Sequence, residues 1–296
     1  MKKIIFLVII VIIGSGIYYF TKGPSDNVTV DVDQNVATTT TATTTVTVDK
    51  TKTVIGKSVE GRDIVAYHFG EGTNEVIFVG GIHGGYAWNT ALLGYQSMDY
   101  LKANSNIIPA NVKVTIIPVL NPDGLNKVVG TSSAFITADV SKSQSVVVSG
   151  RFNANEVDLN RNFACDWQAT GKWQSKTVSG GSSSFSEPET LALKNYIETS
   201  KPKAVVAWYS AAGGVYSSNC HNGILATTSA LTSTYAKAST YPAFQDFDFY
   251  ETTGDMTNWL AKINVPAISV LLATHDSTEW TRNLAGIEAV LKYIAK

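Results

Sequence analysis

The chain has 296 residues, 44% of them hydrophobic and 16% charged, and its formal net charge at pH 7 is −1. No run of lysine or arginine marks a phosphate-binding surface, so composition and charge give no support to nucleic-acid binding. The length is sufficient for one large domain with a substantial core.

The first 22 residues predict a membrane segment. Residues 4–20 are apolar apart from a Gly-Ser-Gly insert, and Lys2 and Lys3 precede them. This stretch is about long enough to cross a bilayer as a helix, and the lysines favour a cytoplasmic N-terminus with the remainder exported. We therefore expect residues 1–22 to be a single-pass anchor that holds the rest of the chain outside the cytoplasm. A cleaved signal peptide, and hence a secreted protein, is the alternative.

Residues 23–51 are rich in Thr, Val and Asp and contain no aromatic side chain. Such a composition cannot bury a core and predicts a disordered, solvated linker. A Thr- and Val-rich strand is the alternative interpretation. From residue 52 onward aromatic residues, glycine turns and regular apolar runs appear, so residues 52–296 are predicted to form the folded domain.

Within this domain, short apolar runs alternate with helical patterns. The predicted strands are 75–82, 113–120, 203–210 and 266–274, and the predicted helices are 90–103, 186–200, 255–264 and 283–296. Ser186 is the expected N-cap of the second of these helices, with Pro188 in its first turn. The alternation predicts an α/β domain, with a mostly parallel or mixed twisted sheet and helices on both faces.

In such sheets, functional residues gather at the carboxyl ends of the strands. Four residues fall at or near the ends of predicted strands, namely His83, Asn121, Tyr209 and Leu271. We expect these side chains to lie near one another.

Several motifs follow one another in a characteristic order. They are GGIHGG at 80–85, PVLNPDG at 118–124, GRFNANEVDLNRNF at 150–163, SEPET at 186–190, WYSAAGGVY at 208–216 and PAISVLLATHDSTEW at 266–280. Together they resemble the zinc carboxypeptidases of the carboxypeptidase A type, particularly bacterial members that act on cell-wall peptides. The resemblance covers about residues 52–296 and implies a zinc carboxypeptidase-like fold.

The resemblance also implies which positions would hold zinc, and most of them carry unsuitable residues. His83 matches the first histidine ligand. The glutamate ligand would fall at Tyr86, or at Ala87 if the loop is one residue longer. We favour Ala87, because Tyr86-x-Trp88 resembles a motif whose middle residue is replaced. Tyr209 stands at the position of the second histidine. Because a catalytic zinc needs about three protein ligands and an open position, we expect zinc binding to be weak or absent.

The resemblance implies that the family's catalytic glutamate is also replaced, because Leu271 stands at the position of the Glu in PAITVEL-like sequences. Leucine can neither take a proton from water nor deliver one to a leaving amine. No catalytic residue of the family is therefore expected to be intact.

The substrate-holding positions are better preserved. The resemblance implies that Asn160 and Arg161 hold the terminal carboxylate of a peptide, and Arg151 is the candidate for the other arginine. A planar guanidinium suits a carboxylate because it donates two parallel hydrogen bonds. The alternative for Arg151 and for Arg161 is a salt bridge within the protein.

The remaining histidines and the two cysteines complete the candidates. A relocated metal site made of His83, His275 and Asp276 is an alternative, whereas His68 and His221 are expected to be structural. Outside the membrane, Cys165 and Cys220 are expected to form a disulfide at the rim of the cleft. Two unpaired buried thiols are the alternative.

The sequence thus favours a membrane-tethered, extracytoplasmic pseudoenzyme that binds peptides with a free C-terminal carboxylate, or cell-wall stem peptides. One alternative is an active zinc metallocarboxypeptidase or murein peptide amidase with a rearranged metal site. A further alternative is a purely structural domain, which internal pairing of Arg161 would favour.

Overall fold

A computed structural model describes residues 50–296. The predicted anchor at residues 1–22 and residues 23–49 of the predicted linker lie outside the described residues. Between residues 50 and 296, no helix has the length and apolar character needed to span a membrane.

The described chain forms ten strands and seven α-helices. The strands are β1 Lys52–Lys57, β2 Asp63–Phe69, β3 Asn74–Val79, β4 Val112–Ile117, β5 Thr170–Trp173, β6 Lys176–Ser179, β7 Ala204–Ser210, β8 Gly214–Ser217, β9 Ala243–Phe244 and β10 Ala267–Leu272. The helices are α1 Trp88–Ala103, α2 Pro122–Val129, α3 Gln144–Ser149, α4 Pro188–Ser200, α5 Ala226–Ser239, α6 Met256–Lys262 and α7 Trp280–Ile294.

Eight of the strands form one mixed sheet in the order β1-β2-β4-β3-β7-β10-β8-β9, and β5 pairs with β6 in a separate hairpin. The four central strands, β4, β3, β7 and β10, run parallel. Antiparallel pairs flank them, with β2 on β4 and β8 on β10. The carboxyl ends of the central strands therefore meet at one edge of the sheet, where the candidate residues are found.

Side chains of the central strands alternate between two cores, as the two-residue period of a strand requires. In β7, for example, Val205, Ala207 and Tyr209 belong to the core beneath α4 and α6. The intervening Val206 and Trp208 belong to the core beneath α1, α5 and α7. The sheet is thus covered by helices on both faces, and the predicted α/β class is confirmed.

The start of α4 differs from the prediction. Pro188 is its first residue, as expected, but the N-cap is Glu187, which makes no side-chain capping hydrogen bond. The Ser186 hydroxyl instead donates to Glu187 Oε1 at 2.9 Å and accepts from Asn162 Nδ2 at 3.0 Å. These two hydrogen bonds occupy the Ser186 hydroxyl, so it does not cap the helix.

Helices α5 and α7 pack closely enough that Gly286 has no room for a methyl group. A Cβ at this position would lie 2.5 Å from Cε1 of Tyr235. Tyr235 is fully buried, accepts a hydrogen bond from Trp208 Nε1 and donates one to Asn283. Its ring therefore cannot move aside without breaking these bonds.

We predict that Gly286→Ala lowers the free energy of unfolding by about 1–3 kcal/mol, the usual cost of overpacking a core. Helix propensity alone would give the opposite sign, because alanine is favoured over glycine by up to about 1 kcal/mol inside a helix. Urea unfolding of the wild type and the variant decides between the two signs. A more stable variant would show that the α5–α7 contact is looser than described.

Candidate functional site

An open cleft of about 630 Å³ lies at the carboxyl edge of the central strands. Its wall contains most of the candidate residues, namely His83, Tyr86, Arg151, Asn160, Arg161, Tyr209, Leu271 and His275. The structure thus brings together residues that are up to 192 positions apart in the chain, from His83 to His275.

Glycines let the loop that carries His83 pack against two other motif loops. Gly84 has a φ of +43°, and a Cβ there would lie 2.5 Å from Gly150 O and 2.7 Å from Gly124 C. The neighbouring Gly85 N–H donates to the same Gly150 carbonyl at 3.1 Å. The glycines of these three loops are therefore needed for close backbone contact, which fixes His83 at the end of β3.

His83 is buried, with 6% of its surface exposed, and neither ring nitrogen has a hydrogen-bond partner. Its Nε2 lies 3.6 Å from Asp158 Oδ1, too far for a hydrogen bond. Burial lowers the pKa of His83 to about 4, and the charge of Arg151 adds to this shift, whereas Asp158 opposes it. His83 is therefore neutral at physiological pH.

Asp158 is the fully buried carboxylate at the centre of the site. Arg151 donates to its Oδ2 from Nε at 3.0 Å and from Nη2 at 2.7 Å. The Asn160 N–H donates to Oδ1 at 3.1 Å. Although burial alone would raise the pKa of Asp158, the Arg151 charge holds it far below its usual range. Arg151 is thus a buried ion-pair partner, and its guanidinium also lies 4.4 Å from the Trp173 ring centre.

Tyr209 and Leu271 are direct neighbours across the parallel pair of β7 and β10. They consequently face the same side of the sheet and contact the same wall of the cleft. The Tyr209 hydroxyl donates to Asn160 Oδ1 at 3.2 Å. Burial, followed by the charge of Asp255, raises the pKa of Tyr209 well above its ordinary value. A phenolate that could bind a metal is therefore disfavoured.

Tyr86 and Ala87 were the two candidate positions for the family's glutamate, and only Tyr86 lies on the cleft wall. Its ring packs against Trp173 at 4.9 Å and His275 at 4.7 Å between centroids. Ala87 is 1% exposed and is the N-cap residue of α1. In contrast to the sequence-based preference for Ala87, the geometry therefore favours the shorter spacing, in which Tyr86 replaces the glutamate.

These residues do not fit a catalytic zinc ion. The one metal-ligand side chain at the family positions is His83, whose orphaned nitrogens could face an ion. Tyr86, Tyr209 and Leu271 add no carboxylate or imidazole, and a single imidazole falls short of the three ligands that a catalytic zinc requires. Asp158 is near, but its charge is already engaged by Arg151.

Arg161 is buried, yet its charge is not paired with a carboxylate. Its Nε and Nη2 both donate to the Lys172 carbonyl, at 3.0 and 2.6 Å, and Nη1 donates to the Asn160 carbonyl at 2.7 Å. Ion pairs of residues 50–296 involve the arginines at 62, 151 and 282 but not Arg161. A guanidinium has five N–H donors, so two of them remain for a ligand in the cleft.

Asn160 holds the neighbouring groups in place. Its Nδ2 donates to Asp255 Oδ2 at 2.8 Å, while its Oδ1 accepts from Tyr209 and from the Met256 N–H. Since all of these contacts are internal, Asn160 orients the wall of the cleft as well as lining it.

Aromatic side chains that the sequence analysis did not single out form the mouth of the cleft. Trp173 comes from the β5–β6 hairpin, and Phe247, Phe249 and Tyr250 come from an irregular loop before α6. Tyr250 lies 5.8 Å from the Arg161 guanidinium. These residues lie outside any periodic pattern, so their position could not be read from the sequence.

The proposed relocated metal site is not assembled. Among the described residues, one group of His, Cys, Asp or Glu ligand atoms lies within metal-binding distance, and it contains neither His83 nor His275 nor Asp276. His275 Nδ1 instead lies 3.2 Å from Ser210 Oγ. His68 is held by Thr53 and Thr115, in keeping with a structural role.

Cys165 and Cys220 are joined by a disulfide that closes a loop with a sequence separation of 55. Cys165 lies just beyond Arg161 in the chain, and its carbonyl accepts from the Gly254 N–H at 2.7 Å. The bridge thus connects the segment that carries Asn160 and Arg161 to the loop that follows β8.

The fold and the ordered motifs indicate a class of protein, and comparison of the sequence with known families identifies that class. The zinc carboxypeptidase family matches residues 43–279, and the chain belongs to this family. The catalytic chain of carboxypeptidase N from Rattus norvegicus is 30% identical over 182 residues, which cover 57% of this chain and 37% of that protein. The chain therefore spans well under half the length of such relatives.

Solved structures support the same fold. Carboxypeptidase A from Helicoverpa armigera superposes with a TM-score of 0.64 at 18% identity, over 83% of this chain and 68% of that one. Murein-tripeptide amidase MpaA from Escherichia coli superposes with a TM-score of 0.56 at 22% identity, over 81% of this chain and 90% of that one. At these identities the likeness concerns the fold alone.

The substitutions at the metal positions can be reversed. We predict that Tyr86→Glu combined with Tyr209→His creates a zinc site with His83, because it restores the three-ligand set that zinc requires. The oxidised parent chain is expected to contain well under one zinc, measured by elemental analysis. Adding Leu271→Glu is expected to introduce hydrolysis of C-terminal residues, because it supplies the missing proton acceptor.

The matched control replaces Tyr86→Glu by Ala87→Glu in the same background. Because Ala87 is buried away from the cleft, this variant is expected to bind no more zinc than Tyr209→His alone. Equal zinc binding by the Ala87 variant would contradict the assignment of the loop spacing.

Proposed function

We propose that this domain binds peptides through their free C-terminal carboxylate and does not hydrolyse them. The most direct support is that the cleft has lost the residues for metal binding and proton transfer but keeps an arginine that can bind a carboxylate. The metal and proton-transfer positions hold Tyr86, Tyr209 and Leu271, whereas Arg161 keeps a buried charge with free donors.

Arg161 is suited to a carboxylate for two physical reasons. Its guanidinium is fixed by main-chain carbonyls, so little side-chain entropy is lost when a ligand binds. Among residues 50–296 its charge also forms no ion pair with a carboxylate, so a carboxylate in the cleft would form charge-assisted hydrogen bonds, which are among the stronger ones. The alternative of an internally paired Arg161 would require a carboxylate partner.

The absence of hydrolysis follows from the residues at the reaction centre. A peptide carbonyl near Arg151 and Arg161 would meet the apolar side chain of Leu271 and the neutral hydroxyl of Tyr209. Neither group is a proton acceptor at neutral pH, and His83 is too isolated to hold a metal. A peptide can therefore bind in the cleft without being cleaved.

The ligand class is a peptide or a cell-wall stem peptide. One structural neighbour is a murein-tripeptide amidase, and the sequence relatives are carboxypeptidases. Both classes act on peptides, and the aromatic mouth of this cleft offers flat apolar surface to the residues that precede the terminal carboxylate.

We further propose that the domain lies outside the cytoplasm, tethered by residues 1–22. The apolar stretch and its preceding lysines support the tether, and the Cys165–Cys220 disulfide fits an oxidising compartment.

Binding can be tested by calorimetry with a short peptide and the same peptide carrying a C-terminal amide. We predict that amidation weakens binding by about 1.5–3 kcal/mol, the contribution of hydrogen bonds to a charged group. Arg161→Ala is expected to cause a similar loss, with little difference between the two peptides. Arg282→Ala, on α7 and outside the cleft, is the matched control and is expected to leave the difference intact.

Equal affinity of the wild type for the acid and the amide would refute carboxylate recognition, whatever the stability of the variants. Release of C-terminal residues by the unmodified chain, abolished by a chelator, would refute the absence of catalysis.

The tether has a separate test. We predict that the full-length protein stays in the membrane fraction after a high-salt wash and is released by detergent, because residues 4–20 remain in the bilayer. Immunoblotting of the fractions measures this. Mature protein whose N-terminal sequence begins after residue 16 would instead indicate cleavage and secretion.

A further inference from the structure

Two loops at the rim of the cleft each place a cysteine beside a second ligand-type residue. Cys165 precedes Asp166, and Cys220 precedes His221. One ligand atom of each of these four residues lies within 4.8 Å of all the others. None of the four lies on the wall of the peptide cleft.

We infer that these four residues form a zinc site in the reduced chain, a site that the disulfide closes in the oxidised chain. Two thiolates, an imidazole and a carboxylate make the four-ligand tetrahedral set that zinc prefers. The two sulfurs also favour zinc over Mg²⁺ and Ca²⁺, which take oxygen ligands. The site is distinct from the family's catalytic position, because His83 contributes nothing to it.

Burial is graded across the cluster in a way that suits an entering ion. Cys165 and Cys220 are 3% and 7% exposed, whereas the side chains of His221 and Asp166 are 73% and 51% exposed. The sulfurs thus form the inner end of the site. The nitrogen and oxygen ligands form an outer end that solvent ions reach directly.

The backbone also presents the two outer ligands to each other. Asp166 and His221 both adopt left-handed conformations, with φ of +50° and +63°. Asp and His are among the non-glycine residues that adopt this region most readily. In this conformation His221 Nε2 lies 2.7 Å from Asp166 Oδ1, so a metal ion could replace the shared proton.

Conversion of the disulfide to the zinc site requires a reductant, either a phosphine or a dithiol. A phosphine reduces the disulfide to two thiols and takes an oxygen atom from water to become its oxide. Zinc then binds the two thiolates, and the thiol protons pass to solvent. Disulfide and zinc are therefore mutually exclusive, and each links the segment after Arg161 to the loop after β8.

The test uses the full-length chain in detergent, either oxidised or reduced with a water-soluble phosphine under anaerobic conditions. Titration with Co²⁺ is expected to give a single site in the reduced chain, with thiolate-to-cobalt charge-transfer bands and the strong visible bands of tetrahedral cobalt. Zn²⁺ should displace the cobalt. The oxidised chain should show neither set of bands.

Variants identify the ligands. His221→Ala and Asp166→Ala leave the cysteines intact and are expected to weaken zinc binding by at least about tenfold, the lower end of what even indirect partners of a metal contribute. The matched controls remove the same residue types outside the cluster: His275→Ala on the cleft wall and Asp248→Ala, an exposed residue of the loop before α6, should bind zinc like the wild type. Unchanged affinity in both ligand variants would overturn the inference.

Two further outcomes are decisive. Equal zinc binding by the oxidised chain would overturn this site, because the disulfide leaves no thiolates to bind the ion. Zinc would then be bound elsewhere, which would also contradict the proposal that the cleft is free of metal. If reduction unfolds the metal-free chain, zinc should restore the thermal transition of the wild type and fail to do so in His221→Ala. Failure to restore the wild type would also count against the site.

Discussion

The buried ion pair between Asp158 and Arg151 is the interaction on which the cleft depends. Asp158 is fully buried and accepts from Arg151 and from the Asn160 backbone, while His83 lies 3.6 Å away. One carboxylate thus ties the segment that carries Arg151 to the loop that carries Asn160 and Arg161. Removing either partner would leave an uncompensated buried charge, which typically costs about 3–5 kcal/mol. The ion pair therefore helps to fix the arrangement of this part of the cleft.

The replacements at the family's metal positions form a consistent set when their charges are considered together. Without zinc, a glutamate at 86 or 271 would have to be desolvated without the cation that the family places beside it. Tyr86 and Leu271 remove both charges, and the hydroxyl of Tyr209 is satisfied by Asn160. Of the four positions, His83 alone keeps the family residue, and burial keeps it neutral. A cleft with these residues is electrostatically stable without an ion.

The sequence predicted the central sheet and much of the cleft because both depend on local patterns. Apolar runs identified β3, β4, β7 and β10, and the motifs placed His83, Tyr209 and Leu271 at the ends of three of these strands. Helix α5 was missed because its sequence, ATTSALTSTYAKAS, is rich in Thr and Ser and has a weak apolar stripe. Strands β1 and β2 were missed as well, since β1 is largely exposed and β2 has only two buried side chains, Ile64 and Ala66.

The role of Asp158 could not be predicted, although it belongs to the VDLNRNF motif, because it depends on how the Arg151 side chain packs. The same holds for the aromatic mouth, which the β5–β6 hairpin and an irregular loop bring together from distant parts of the chain. The choice between Tyr86 and Ala87 likewise required the start of α1 in three dimensions, since the two spacings differ by one residue.

The disulfide and the hydrogen bonds of Asn160 and Arg161 make this wall of the cleft rigid, which matters for ligand binding. Arg161 donates to two main-chain carbonyls, Asn160 holds Asp255, and Cys165 fixes the following segment both through its bridge and through the Gly254 N–H. A carboxylate that enters the cleft therefore meets donors that are already in place, and the ordering cost of binding falls mainly on the peptide. The same rigidity would serve an enzyme, but here the residues that would move protons are absent. In the proposed function, the fold uses this positioning to recognise a peptide carboxylate.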